Sequence, residues 1–131
     1  MNNVGIVVLS HSRELVRGLK KLLLQIESNV PLAIAGGFDD DGMGTDFQDI
    51  KAAIESVYSI NGVVILFDLG SALFNAEIAI EMMDNKKKIV IADAPLVEGA
   101  YAAIIESGCG SKLEQVLAAA EGTKLLNKIV K

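Results

Sequence analysis

The 131-residue chain has a single cysteine and a single histidine. A lone Cys109 excludes an internal disulfide. Within SGCGS it reads as a small buried or turn residue, because no second histidine exists to activate a thiolate. One histidine and one cysteine also fall short of an ordinary zinc site, so no metal is expected. Basic charge is scarce: 12 lysines and arginines face 17 aspartates and glutamates, for a net charge of −5. Without a cationic stripe the chain suits neither nucleic acid, whose phosphates need cationic partners, nor an anionic membrane surface. No apolar run approaches the roughly 20 residues of a membrane span. The opening MNNVGIVVLSHS lacks the basic flank and the apolar length of a signal peptide. A soluble, cytoplasmic protein is expected.

What is present is a globular composition, with 51% hydrophobic and 22% charged residues. The length is that of one domain with one sizeable core. No repeat, linker or low-complexity tract interrupts it, so residues 1–131 are read as a single domain. Apolar and β-branched runs alternate with helical patterns. VGIVVL (residues 4–9) and GVVILF (62–67) read as buried strands, the first covered on both faces, and PLAIAGG (31–37) and KIVIAD (88–93) as two further short strands. Leu15, Leu19, Leu22, Leu23 and Ile26 recur at helical spacing after the first. Thr45 with Gln48 matches a capping box, ahead of the helix face Phe47, Ile50, Ile54 and Val57. Residues 72–83 form a helix that is apolar nearly all round. Pro95 marks the first position of a further helix and Gly108 its end. A last clear helix carries Leu113, Val116, Leu117 and Ala120 on one face.

Four strand–helix alternations predict an α/β fold: a doubly wound, four-stranded parallel sheet with helices on both faces. The order 2-1-3-4 suits so short a chain. Strands 1 and 3 are then neighbours whose connections leave in opposite directions, and the crevice at their C-terminal ends is where ligands bind. His11 follows strand 1 and Asp68 follows strand 3, so the topology brings them together. An aspartate that accepts from one imidazole nitrogen fixes the tautomer and raises the nucleophilicity of the other. Ser10 or Ser12 could donate to an anion on that nitrogen. Two helix N-termini, one after His11 and one after Ser71, would point free N–H groups at the same crevice. Gly36, Gly37, Gly42, Gly44 and Gly70 allow close backbone approach. A nucleophilic histidine in an anion-binding cleft suggests covalent phosphoryl transfer. Equally simple readings exist: His11 as a helix cap, Asp68 and Ser71 as caps, Thr45 as a cap, the glycines as turns.

Other chemistries fail on register. If Asp39, Asp41 and Gly42 took positions 3, 5 and 6 of a calcium loop, positions 1 and 12 would fall on Gly37 and Gln48, so the acidic triplet reads as a solvated loop. No Walker lysine motif occurs, and GMGTDF lacks the third glycine of a dinucleotide fingerprint. A Ser-His-Asp hydrolase built on Ser71 would lack the G-x-S-x-G elbow.

Three segments resemble a known family. IVVLSHSRELVRG, GGFDDDGMGTD and DLGSALFNAE, with APLVEGA, are similar to the phosphocarrier subunits of phosphoenolpyruvate-dependent dihydroxyacetone kinases, a branch of the mannose-type IIA domains of the sugar phosphotransferase system. The resemblance covers nearly the whole chain, and GTD, DLGSA and APLVEG are specific to the branch. It implies that His11 becomes phosphorylated, at Nε2, with Asp68 holding Nδ1–H. It implies phosphate contacts from Ser10, Ser12, Gly37, Thr45, Gly70 and Ser71. The implied partners are the general phosphocarrier protein of the system, which delivers the phosphoryl group, and the ADP-loaded nucleotide-binding kinase subunit, which receives it. No cofactor, free nucleotide or sugar would bind to this chain itself. Some members carry further phosphocarrier domains; this chain would be the single-domain form, and a homodimer. The alternatives are a IIA domain serving a mannose-type transporter, and a regulatory domain in which His11 is only a cap.

Overall fold

A computed structural model describes residues 3–38, 40, 42–84 and 86–130; Asp39 and Asp41 of the acidic triplet lie outside them. The four apolar runs form β1 (Gly5–Ser10), β2 (Leu32–Gly36), β3 (Val63–Phe67) and β4 (Ile89–Ile91). They pair in parallel in the order β2-β1-β3-β4, as the alternation of strands and helices predicts. Between and after them run α1 (Arg13–Ile26), α2 (Phe47–Val57), α3 (Gly70–Glu81), α4 (Leu96–Gly108) and α5 (Leu113–Gly122).

Successive residues of a strand point to opposite faces, and the core divides accordingly. Ile6 and Val8 of β1 and Val64 and Leu66 of β3 pack with α1, α4 and α5. Val7 and Leu9, with Val63 and Ile65, pack with α2 and α3 on the other face. Both faces of the central strands are therefore dry, which is why β1 and β3 show continuous apolar runs instead of alternation. Each fully buried aliphatic side chain contributes about 1.5–3 kcal/mol.

Local details depart from the sequence reading at several points. The buried stripe of α1 is Val16, Leu19 and Leu23, while Leu15, Leu22 and Ile26 remain exposed. The apolar arc of this helix is wider than the surface the sheet covers, and packing chose one edge of it. Pro95 is the N-cap of α4 and not its first helical residue. Gly108 is still helical; the left-handed residue that ends α4 is Gly110, at φ 82°. The N–H of Gly110 donates to Ser107 O and that of Ser111 to Glu106 O, the paired bonds of a Schellman end. Cys109 is the exposed C-cap residue in this turn. β4 is shorter than the run suggests, because Lys86–Lys88 form a 3-10 turn. No helix among the described residues is long and apolar enough to cross a membrane.

Candidate functional site

β1 and β3 pair as Leu9 with Phe67, so the residues that follow them emerge side by side. His11 and Asp68 meet there although 57 residues separate them. His11 Nδ1 lies 3.0 Å from Asp68 Oδ1. The main-chain N–H of His11 donates to Asp68 Oδ2 at 3.0 Å, and the Ser10 hydroxyl donates to the same oxygen at 2.8 Å. The N–H of Leu69 donates to Oδ1 at 2.7 Å. Four donors thus converge on one carboxylate. The side chains of His11 and Asp68 are only 18% and 16% exposed, so these bonds are largely sheltered from water.

Burial by itself would raise the pKa of Asp68. The bonds from His11 N–H, the Ser10 hydroxyl, the His11 ring and Leu69 N–H outweigh burial and hold the carboxyl below its ordinary value of 3.8. Asp68 is therefore an acceptor only, and His11 Nδ1 must carry the proton. In the neutral ring, Nε2 then carries the lone pair. It lies 2.5 Å from Ser71 Oγ, whose hydroxyl is the donor that pair requires.

Linkage fixes a pH dependence. A carboxyl whose folded value is depressed adds stability above its unfolded value, and that stability drains away as pH falls through the folded value. The gap in melting temperature between the natural chain and Asp68→Asn should therefore narrow as pH drops below about 3.8. Thermal unfolding between pH 6 and pH 2 checks this, and a constant gap would contradict it.

Ser71 stands in the first turn of α3. The N-cap there is Leu69, which offers no side-chain bond to the free N–H groups. A Cβ added to Gly70 would meet nothing within 4 Å, so the approach to this turn is open. An uncapped helix start beside Nε2 is a ready anion site. Asp68 and Ser71 do not cap α3, and His11 does not cap α1, whose cap is Ser12 accepting from Leu15 N–H at 3.2 Å. The reading of His11 as a helix cap is thereby overturned.

Two of the expected phosphate-binding residues are engaged within the chain. Ser10 is fully buried; its hydroxyl donates to Asp68 and accepts from Ser12 N–H at 3.0 Å, so it braces the carboxylate instead of facing a ligand. Gly37 is buried and its N–H donates to Gly44 O at 2.9 Å. Its value lies in its backbone: at φ 71° a Cβ would sit 2.7 Å from Arg13 N. Arg13 reaches back to this bend, with Nη2 3.4 Å from Gly37 O.

Thr45 does not cap α2. Asp46 does, accepting from Gln48 N–H at 2.8 Å. Thr45 Oγ1 instead accepts from Asn75 Nδ2 at 2.7 Å. Asn75 escaped the sequence reading. The available signal was a lone amide in an apolar helix, one turn beyond Ser71 and therefore on the same face. A groove of about 590 Å³ runs along the edge strand β2 between α1 and α2, lined by Arg13, Arg17, Asp46 and Asp49 among others, and does not include His11.

Residues 5–117 match the EIIA-man family model, described as the PTS system fructose IIA component. The chain belongs to this family. Among curated EIIA-man relatives, it is 42% identical over 106 residues to the "PTS-dependent dihydroxyacetone kinase, phosphotransferase subunit DhaM" of Lactococcus lactis, covering 79% of this chain and 84% of that protein. It is 37% identical over 120 residues to the "PEP-dependent dihydroxyacetone kinase, phosphoryl donor subunit DhaM" of Escherichia coli, covering 87% of this chain. The match spans 25% of the E. coli protein's length. A crystal structure of a protein of unknown function superposes with a TM-score of 0.81 at 32% identity, over 93% of this chain and 95% of the other. The EIIA-man assignment and the dihydroxyacetone kinase resemblance of the sequence thus agree.

Proposed function

We propose that this EIIA-man domain is the phosphohistidine carrier of a phosphoenolpyruvate-dependent dihydroxyacetone kinase. The observation that carries the reading is the contact chain from Asp68 Oδ1 through the two ring nitrogens of His11 to Ser71 Oγ, beside the open first turn of α3. The relatives named as DhaM subunits support the choice of pathway.

Nε2 attacks the phosphorus carried by the general phosphocarrier protein. The new N–P bond forms as the donor's bond to phosphorus breaks and the donor takes back its electron pair. The ring of His11 becomes cationic, and the carboxylate of Asp68 neutralises it while Nδ1 keeps its proton. Ser71 swings its donor from Nε2 to a phosphoryl oxygen, and the N–H groups of Gly70 and Ser71, with the Ser12 and Thr45 hydroxyls, share the remaining charge. In the return step a terminal phosphate oxygen of ADP, held on the nucleotide-binding kinase subunit, attacks the same phosphorus, and Nε2 leaves with its lone pair. Catalysis rests on in-line placement and dispersed charge stabilisation.

The donor and acceptor in this reading are proteins. The segments carrying the site expose Leu15, Phe38, Met43, Leu69 and Phe74, an apolar rim of a kind that protein partners cover. Leu22 and Ile26 on α1, with Tyr101 and Ile105 on α4, leave further apolar surface for a second copy of the chain in a homodimer. The same reading makes the chain a cytoplasmic component of glycerol metabolism.

An intact-mass assay tests the proposal. With phosphoenolpyruvate, enzyme I and the general phosphocarrier protein, the chain should gain one acid-labile phosphoryl adduct, which should vanish on adding the ADP-loaded kinase subunit. An adduct that persists there would favour a mannose-type transporter. No adduct from a donor system shown to be active would refute the carrier reading.

A further inference from the structure

We infer that Asn75 is a positioning residue for phosphoryl transfer, acting through Thr45; the inference rests on the carrier reading above. Asn75 Nδ2 lies 2.7 Å from Thr45 Oγ1 and 3.2 Å from Thr45 O. The amide's orientation follows from chemistry. A carbonyl oxygen only accepts, so the group facing Thr45 O must be the NH2 end. Each of its two protons serves one oxygen of Thr45. The threonine hydroxyl is thereby made an acceptor toward Asn75, and its own proton must point elsewhere.

The surroundings give that proton a direction. Gly44, the residue before Thr45, donates its N–H to His11 O at 2.8 Å. The loop therefore hangs from the main chain of His11 at one point and from α3 at the next. Asn75 lies four residues beyond Ser71, so both occupy one face of α3, a single turn apart. Ser71 reaches Nε2 and Asn75 reaches Thr45. α3 thus carries one group for the reacting nitrogen and one for the loop that hangs from the His11 main chain. With one lone pair of Thr45 Oγ1 engaged by Asn75, the hydroxyl proton is turned away from the amide, and in this inference it meets a phosphoryl oxygen on Nε2. Thr45 is free for this role because Asp46 caps α2 in its place.

A merely structural Asn75 would tie α2 to α3 and influence melting temperature alone. A positioning Asn75 changes the turnover of the chain at temperatures where it stays folded. Asn75→Leu keeps the size and removes both donors. It should lower kcat for phosphoryl uptake on the order of 10²-fold, the usual effect of a small misplacement of a reacting contact, with little change in KM for the donor protein. Thr45→Val should do the same, and Thr45→Ser should restore most of the rate. The decisive arm is the double variant. If Asn75 works through Thr45, Asn75→Leu with Thr45→Val should be no slower than the worse single variant. Multiplying losses, or an Asn75→Leu chain with unchanged kcat, would overturn the inference while leaving the carrier reading intact. Should Asn75→Leu not fold, Asn75→Asp keeps the shape and replaces both donors with an acceptor, and the same comparison applies. A natural chain that takes up no phosphoryl group from an active donor would remove the carrier reading and this inference together.

Discussion

His11→Gln is expected to abolish phosphoryl uptake from the general phosphocarrier protein while the chain stays folded. Glutamine has an amide where imidazole has a nucleophilic nitrogen, so no N–P bond can form. The structural cost is modest. The His11 main chain keeps its bonds: its N–H to Asp68 Oδ2 and its C=O to Gly44 N–H do not depend on the side chain. What is lost is the ring's bond to Asp68 Oδ1, an oxygen that still accepts from Leu69 N–H, and its bond to the exposed Ser71 hydroxyl. A net loss of about 0.5–1.5 kcal/mol is the ordinary effect of one such bond. Intact mass after incubation with the full donor system, beside a thermal melt of the same sample, separates chemistry from folding. An adduct on His11→Gln at the natural level would locate the phosphoryl group on some other residue.

The second large effect belongs to Asp68→Asn, a change of one atom. An amide offers one acceptor and one donor where the carboxylate offers two acceptors. If its oxygen takes the Oδ1 position, the NH2 group confronts the His11 main-chain N–H, which currently donates to Oδ2 at 3.0 Å. If it is turned over, the NH2 group confronts Leu69 N–H and also Nδ1. In that second arrangement Nδ1 must give up its proton, which moves to Nε2 and removes the attacking lone pair. Either way a main-chain N–H loses its acceptor, at about 1–3 kcal/mol for the part-buried His11 N–H and less for the exposed Leu69 N–H. The rate should fall far more than stability does, by about 10⁴-fold if the wrong tautomer dominates, the size such an exchange has in the comparable histidine–aspartate pair of serine proteases. Single-turnover uptake measures the rate, and nitrogen chemical shifts of the imidazole report the tautomer directly. A variant with full rate and an unprotonated Nε2 would reduce Asp68 to a structural acceptor.

Much of this arrangement was legible in the sequence for a physical reason. Strands covered on both faces leave continuous apolar runs, and in a doubly wound sheet the order of the strands places the ends of β1 and β3 together. That was enough to bring His11 to Asp68. The finer assignments failed where tertiary contacts decide between neighbours. The string TDFQ reads as a capping box on Thr45, yet Asp46 caps α2 and the threonine is engaged by Asn75, thirty residues away. Ser10 resembles an anion donor in the sequence, yet it is the last residue of a buried strand and its hydroxyl turns inward to Asp68. In α1 the wide apolar arc holds both stripes, and only the sheet beneath selects Val16, Leu19 and Leu23. Asn75 itself was hidden because its partner is remote in sequence.

Asp68 grips His11 twice, once by the ring and once by the main chain. A residue held at both ends by one carboxylate has no arm to swing. The cargo therefore cannot be ferried from a loading position to an unloading position on the same molecule. In the proposed relay both exchanges then occur at one fixed berth, and the two partner proteins take turns there. Competition between them for the same surface, and not internal motion of the carrier, would then set how fast the relay runs.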